Sequence, residues 1–152
     1  MFLPPPVNYM AIALESVFLA LSGLFIRNVG ATYVGAVGGL LTALGNSALG
    51  LFTFLALVIF GMLVDFTLFV FKIKGTSQGV NRNRLIIAMA ISTMLIGIIT
   101  YGASVMTPNF IIQRSWVLDI MVVFMGFVTG ATAGYAAAYL WNKYLKSMAE
   151  TI

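Results

Sequence analysis

The chain has 152 residues, of which 61% are hydrophobic and 8% charged, with a formal net charge of +4 and a mean hydropathy of +1.05. A soluble domain carries about 25% charged residues, so this composition cannot cover a water-facing surface and indicates an integral membrane protein. Cysteine and histidine are absent, which excludes disulfides, thiol nucleophiles and imidazole-held metals, and no cofactor is expected.

Five apolar segments are predicted to be membrane-spanning helices, because a span needs about 20 mostly apolar residues. The prolines at positions 4–6 place the start of the first helix after them. The predicted spans cover residues 7–26, 29–44, 49–71, 85–106 and 116–140. The last helix is expected to continue into water as far as about Met148. We therefore predict an all-α bundle that forms a single domain over residues 1–152.

The basic residues predict the orientation of the bundle. The one long polar segment, KIKGTSQGVNRNR, lies between the third and fourth spans, and positive charge collects on the cytoplasmic side. With this loop inside, Arg114 alone lies outside. Seven basic residues are then inside: Arg27, Lys72, Lys74, Arg82, Arg84, Lys143 and Lys146. We expect a multi-pass plasma-membrane protein with its N-terminus out and its C-terminus in, and no nucleic-acid partner.

Two groups of glycines indicate faces of close helix contact. Gly35 and Gly39 form a G-x-x-x-G step in the second span, and Gly126, Gly130 and Gly134 recur at every fourth position in the fifth. Residues without a side chain allow helix backbones to approach each other in lipid. Packing within the bundle is the simpler interpretation, and contact with another subunit is the alternative.

Carboxyl groups inside the spans are informative, because burying a charge in hydrocarbon costs at least about 2.5 kcal/mol. Glu15 lies within the first span and is either a polar anchor for a ligand or a carboxyl that hydrogen-bonds a neighbouring helix. Asp65 is two turns from Lys72, which favours a structural ion pair or a subunit contact. Asp119 lies near the outer start of the fifth span, where a surface salt bridge or a ligand contact would both be possible.

Polar and aromatic side chains collect in the predicted outer third of the bundle. Apolar walls with a few hydrogen-bonding groups suit a small organic solute with a ring, although aromatic belts alone account for Trp116 and Tyr101. Asn109 and Gln113 are at the same level. The candidate substrate-binding residues are Glu15, Asn46, Thr100, Tyr101, Ser104, Trp116 and Asp119.

The stretch LSGLFIRNVGATYVGAVGGLLTALGNSALGLFTFLALVIFGMLVDF, residues 21–66, resembles the substrate-binding (S) components of energy-coupling factor (ECF) transporters. The matching features are Arg27, the pair Gly30-Ala31, Gly35, the glycine-containing turn at 45–50, and Asp65. They are closest to the branch associated with hydroxymethylpyrimidine and thiamine precursors. The resemblance covers about residues 4–101.

That resemblance implies a solute-binding membrane subunit that works with a coupling membrane subunit and two ATPases. Members of the family typically have six helices with the N-terminus inside, so this chain is similar to a member that lacks the first helix. The function we expect is uptake of a small organic solute such as a vitamin precursor.

Other functions remain open at the level of sequence. The chain could be a non-catalytic accessory subunit of a larger membrane complex, such as a respiratory or oxidase assembly, that packs through the Gly126, Gly130 and Gly134 face. A channel-like pore is a third alternative. An enzyme is not expected, because the sequence offers no nucleophile–base pair and no Walker motif.

Overall fold

The computed structural model describes residues 5–26, 29–45, 50–106 and 116–147, and it describes the backbone alone for 5–10 and 104–106. Within these ranges the chain forms five α-helices and no strand. They are α1 (Pro5–Phe25), α2 (Gly30–Gly45), α3 (Gly50–Val70), α4 (Arg82–Met106) and α5 (Trp116–Leu140). The all-α prediction is confirmed for this part of the chain. The largest difference in helix bounds is at α4, which begins at Arg82 rather than at Leu85 because the Asn81 side chain accepts a hydrogen bond from the Arg84 amide at 3.3 Å.

Within the described ranges, three helices are long and apolar enough to cross a membrane: Gly50–Val70, Arg82–Ala103 and Trp116–Leu145. The apolar helices Ala11–Phe25 and Gly30–Gly45 are shorter. At 1.5 Å per residue the 16 residues of α2 extend about 24 Å, which is less than the hydrocarbon core of about 30 Å.

Helices α4 and α5 form an antiparallel hairpin whose backbones touch at glycine. A Cβ atom at Gly126 would lie 3.0 Å from the Cα of Met94, and one at Gly134 would lie 2.8 Å from the Cα of Ile86. Gly130 faces α4 between these two points. Any side chain along this stripe would therefore separate the two helices.

Helices α2 and α3 form a second hairpin of the same kind. A Cβ at Gly35 would strike the backbone carbonyl of Leu57, and one at Gly39 would lie 3.1 Å from the Cα of Phe54. Gly61 of α3 approaches the start of α2 in the same way. The glycines singled out in the sequence thus lie against helices of this chain.

The apolar core lies at one end of the bundle, which we call the basic end because it carries the loop 71–81 with Lys72 and Lys74. Helix α1 packs against α2 and α5, and α3 packs against α4. A hydrogen bond of 2.6 Å between the hydroxyls of Thr67 and Ser92 joins the two hairpins in this half. The largest fully buried apolar side chains are Leu19, Val64, Leu85, Met89 and Trp141.

The loop 71–81 is fastened to the end of α5. A π-helical turn continues α5 over Trp141–Leu145, and Trp141 donates to the carbonyl of Thr76 at 3.3 Å. Asn142 accepts from the Val80 amide at 2.7 Å and donates to the Val80 carbonyl at 3.1 Å. The extension of α5 expected to about Met148 is helical as far as Leu145, and Met148 lies outside the described residues.

Asp65 caps the start of α2. Its carboxylate accepts hydrogen bonds from the Ala31 amide at 3.1 Å, from the Thr32 amide at 2.8 Å and from the Thr32 hydroxyl at 2.6 Å. These amides belong to the first turn of a helix, where no intrahelical acceptor is available and negative charge is favoured. The expected ion pair with Lys72 does not form within the described residues, because both oxygens of Asp65 accept hydrogen bonds from the start of α2 instead.

The α4–α5 contact predicts opposite effects of alanine at two glycines. Gly130→Ala should lower the free energy of unfolding by about 1–3 kcal/mol, since its Cβ would collide with the Thr93 side chain and the Met89 carbonyl. Gly102→Ala, whose added Cβ would meet no other described segment within 4 Å, should be neutral or stabilise α4 by up to about 1 kcal/mol. Unfolding by dodecyl sulfate in mixed micelles measures both. Equal effects would contradict the assigned interface.

The Asp65 cap predicts a loss of stability that does not depend on Lys72. Asp65→Ala should lower the free energy of unfolding by about 2 kcal/mol, because it leaves helix N-terminal donors without an acceptor. Thr32→Val removes one of the three hydrogen bonds and should cost less. Lys72→Gln should not destabilise the bundle in the same assay, and a loss equal to that of Asp65→Ala would favour the ion pair instead.

Candidate functional site

A cavity of about 620 Å³ lies between the two hairpins and α1, in the half of the bundle opposite the basic end. All five helices contribute to its wall, from Ile12 in α1 to Thr129 in α5. This volume is within the range of small-molecule pockets, about 300–1,000 Å³. Its polar wall residues are Glu15, Thr42, Thr53, Thr93, Thr100, Tyr101 and Thr129.

The buried side chains of Phe60 and Thr93 form the floor of the cavity. The Thr93 hydroxyl lies 2.6 Å from the Gly126 carbonyl of α5 and 2.8 Å from the Met89 carbonyl of its own helix. Thr93 therefore closes the α4–α5 contact at the depth where the cavity begins. Beyond this level the wall consists mainly of aliphatic and methionine side chains, among them Met121 and Met125.

Glu15 brings the one carboxyl group of the described wall to the cavity. Glu15 lies at the edge of the buried face of α1, since the next residue, Ser16, is fully buried. The Ser16 hydroxyl donates to the Ile12 carbonyl at 2.7 Å. Among the described residues, nothing hydrogen-bonds or pairs with the Glu15 carboxyl. Glu15 is half-buried, and a carboxyl partly removed from water gains from a donor, so a ligand that supplies an N–H or a positive charge would gain from binding here.

The threonine hydroxyls of the wall face the cavity mainly as acceptors. Thr42 donates to the Gly38 carbonyl at 2.8 Å, Thr100 to the Ile96 carbonyl at 2.8 Å, and Thr129 to the Met125 carbonyl at 2.7 Å. A hydroxyl has one donor and two lone pairs. Each of these groups uses its proton within its own helix, so at Thr42 and Thr129 what remains for a ligand is acceptor capacity.

Tyr101, unlike these threonines, has a hydroxyl proton that is not used in a hydrogen bond within the described residues. Its phenol oxygen is buried and has no hydrogen-bond partner in the described part of the protein, and its side chain lines the cavity. An unpartnered buried hydroxyl is uncommon in native structures, and it requires an explanation such as a missing ligand or water.

Three of the predicted site residues meet at the cavity, namely Glu15, Thr100 and Tyr101. Trp116 is not part of its wall, since 84% of its surface is exposed, and Asp119 does not line it. The other predicted positions cannot be placed in the site: the side chain of Ser104 lies outside the described part of the structure, as do Asn46, Asn109 and Gln113.

Several wall residues were not predicted, among them Thr53, Thr93 and Thr129. Isolated hydroxyls in strongly apolar helices were the available signal in the sequence. The α5 wall also follows helical spacing, since Leu118, Val122 and Thr129 lie on one face beside the glycine stripe. Assigning this face to the cavity from the sequence would have required knowing which helix the glycine stripe contacts.

The accessory-subunit hypothesis assigned the glycine face of α5 to a partner protein, but in the structure α4 covers this face. Gly126, Gly130 and Gly134 all lie against α4, so this stripe is already covered within the chain. Gly35 and Gly39 are likewise covered by α3. These five glycines therefore explain the packing of the two hairpins and leave no surface of their own for a second protein.

No protein-family model, curated protein or solved structure matches this chain. Its function must therefore be argued from the geometry of the bundle and of the cavity.

The unpartnered phenol predicts that removing it stabilises the empty protein. Tyr101→Phe should raise the free energy of unfolding by about 1 kcal/mol or more, because a buried hydroxyl without a partner carries a desolvation cost of about 1–3 kcal/mol. Tyr33→Phe is the matched control, since Tyr33 is exposed, and it should have little effect. Unfolding in mixed micelles, without added solute, measures both variants. Destabilisation by Tyr101→Phe would show that the phenol has a partner.

Proposed function

We propose that this protein is a membrane-embedded solute-binding subunit of an ECF-like importer, and that it binds a small organic solute such as a vitamin precursor. One observation carries the proposal: the Glu15 carboxyl borders a cavity of about 620 Å³ and has no partner among the described residues. A carboxyl used only for structure would be expected to bind a neighbouring helix, as Asp65 does. The resemblance of residues 21–66 to ECF S components favours the same function.

The proposed topology has five spans, with the N-terminus outside and the C-terminus inside. Helices α3, α4 and α5 are long enough to cross the bilayer. Helix α2 packs antiparallel along α3 through Gly35 and Gly39. We therefore propose that α2 crosses the bilayer in the opposite direction to α3, although it is shorter. The basic loop then faces the cytoplasm, and the cavity lies in the outer half, where an imported solute arrives.

The chemistry of the wall favours a solute that donates hydrogen bonds. Glu15 and the hydroxyl oxygens of Thr42 and Thr129 accept, and the described wall contains no lysine or arginine. An anionic solute would therefore lack a counter-charge there. A flat ring with an amino group or a positive charge fits better, with the ring against Met121 and Met125 and the donor at Glu15. Aminopyrimidines and thiamine have this character.

Transport would require other subunits. The chain has no Walker motif, so the energy of ATP hydrolysis must come from partner ATPases. The resemblance implies two of these and one coupling membrane subunit. No nucleic-acid partner is proposed, because orientation in the membrane accounts for the basic residues.

The proposal is tested by solute binding to the purified protein in detergent. Thermal unfolding is followed with thiamine, its hydroxymethylpyrimidine precursor and a panel of other vitamins. A ligand at one hundred times its Kd stabilises the folded protein by about 2.7 kcal/mol, which gives a measurable rise in Tm. Glu15→Gln should abolish the shift, and Ala56→Phe, which fills the cavity from α3, should abolish it independently.

Asp119→Asn is the matched control, since it removes a carboxyl from the same half of the protein but not from the cavity wall. It should leave the ligand-induced shift unchanged. The proposal fails if no solute raises Tm and the protein co-purifies from native membranes with a cofactor-bearing enzyme complex. That result would establish the accessory-subunit alternative.

A further inference from the structure

A second pocket, of about 520 Å³, opens at the basic end of the bundle. The ends of α1 and α3 form two of its sides, and the first half of the loop 71–81 forms the third. Lys72, Lys74 and Thr76 contribute to its wall. Both lysines are exposed, and neither forms an ion pair within the described ranges. The pocket therefore carries two cationic groups that no described carboxylate pairs with directly.

Lys72 holds an unusual backbone conformation at this site. Its φ is +53°, in the left-handed region that glycine normally occupies at the end of a helix. The Ile73 amide bonds to the Leu68 carbonyl at 2.9 Å and the Lys72 amide to the Phe69 carbonyl at 3.0 Å, which together form a Schellman motif ending α3. A lysine here costs stability relative to glycine, and residues held in sparsely populated backbone regions cluster at functional sites.

The surface beside the lysines is apolar. Phe69 lines the pocket and 75% of its surface is exposed, and the neighbouring Val70 is 53% exposed. Both precede the loop at the end of a helix long enough to cross a membrane. Cationic side chains directly beside exposed apolar ones match the two parts of a phospholipid, the headgroup and the acyl chain.

We propose that this pocket binds the phosphate group of an anionic phospholipid. Lys72 and Lys74 supply charge-assisted hydrogen bonds to the phosphate oxygens, and an acyl chain lies against Phe69. Asp65 also borders the pocket, but both of its carboxylate oxygens accept hydrogen bonds from the first turn of α2. The proposal does not depend on a solute in the other cavity.

The experiment titrates the detergent-purified full chain with phosphatidylglycerol and with phosphatidylcholine, and native mass spectrometry counts the bound lipid. Phosphatidylglycerol should bind more tightly. Lys72→Gln and Lys74→Gln should each weaken its binding about fivefold, the effect expected for one basic residue near an anionic lipid surface. Lys146→Gln, which removes the same charge from the exposed end of α5, should leave the affinity unchanged.

Lys72→Gly separates binding from folding. It should weaken phosphatidylglycerol binding as much as Lys72→Gln does, while Tm without lipid stays the same or rises, because glycine adopts the left-handed conformation freely. An equal loss with Lys146→Gln, or equal binding of the two lipids, would overturn the proposal. The last experiment is competition with soluble glycerol 3-phosphate. If it displaced phosphatidylglycerol at equal concentration, the ligand would be a free phosphate ester and not a lipid.

Discussion

In lipid the hydrophobic effect does not drive one helix against another, so this bundle depends on the contact of helix backbones at glycine. The contact is made twice, between α2 and α3 and between α4 and α5. Each hairpin is thereby a rigid unit with its own close interface. The space between the two hairpins is filled by α1 and, in the basic half, by larger side chains such as Leu19 and Met89. The opposite half lacks such filling within the described residues, and the cavity is the result.

The polar groups of the two halves differ in the same way. At the basic end, buried polar side chains have partners: Asp65 caps α2, Thr67 meets Ser92, and Asn142 holds Val80 by two hydrogen bonds. At the cavity, Glu15 and Tyr101 have none in the described structure. Since an unpaired buried hydroxyl such as that of Tyr101 opposes folding, the satisfied end supplies stability that the cavity end does not.

The sequence predicted the parts of this arrangement that depend on local pattern. The lengths of the apolar segments indicated the five helices, and glycines at every fourth position indicated the helix faces that touch. Glu15 stood out because a carboxyl is rare in such a helix. Pairings between distant segments could not be predicted in the same way. Lys72 is seven positions from Asp65 and was the obvious partner, whereas the actual partners, Ala31 and Thr32, are more than thirty positions away. These partners could not be predicted from side-chain chemistry, because the donors are mainly backbone amides at the start of a helix.

The Asp65 cap also relates the two pockets. Asp65 borders the pocket at the basic end and fixes the start of α2, while Thr42 near the other end of the same helix lines the cavity. Gly35 and Gly39 hold α2 rigidly on α3 between these points. The two pockets therefore share α2: the Asp65 carboxylate that borders one of them sets where this helix begins, and the position of Thr42 in the wall of the other depends on that start.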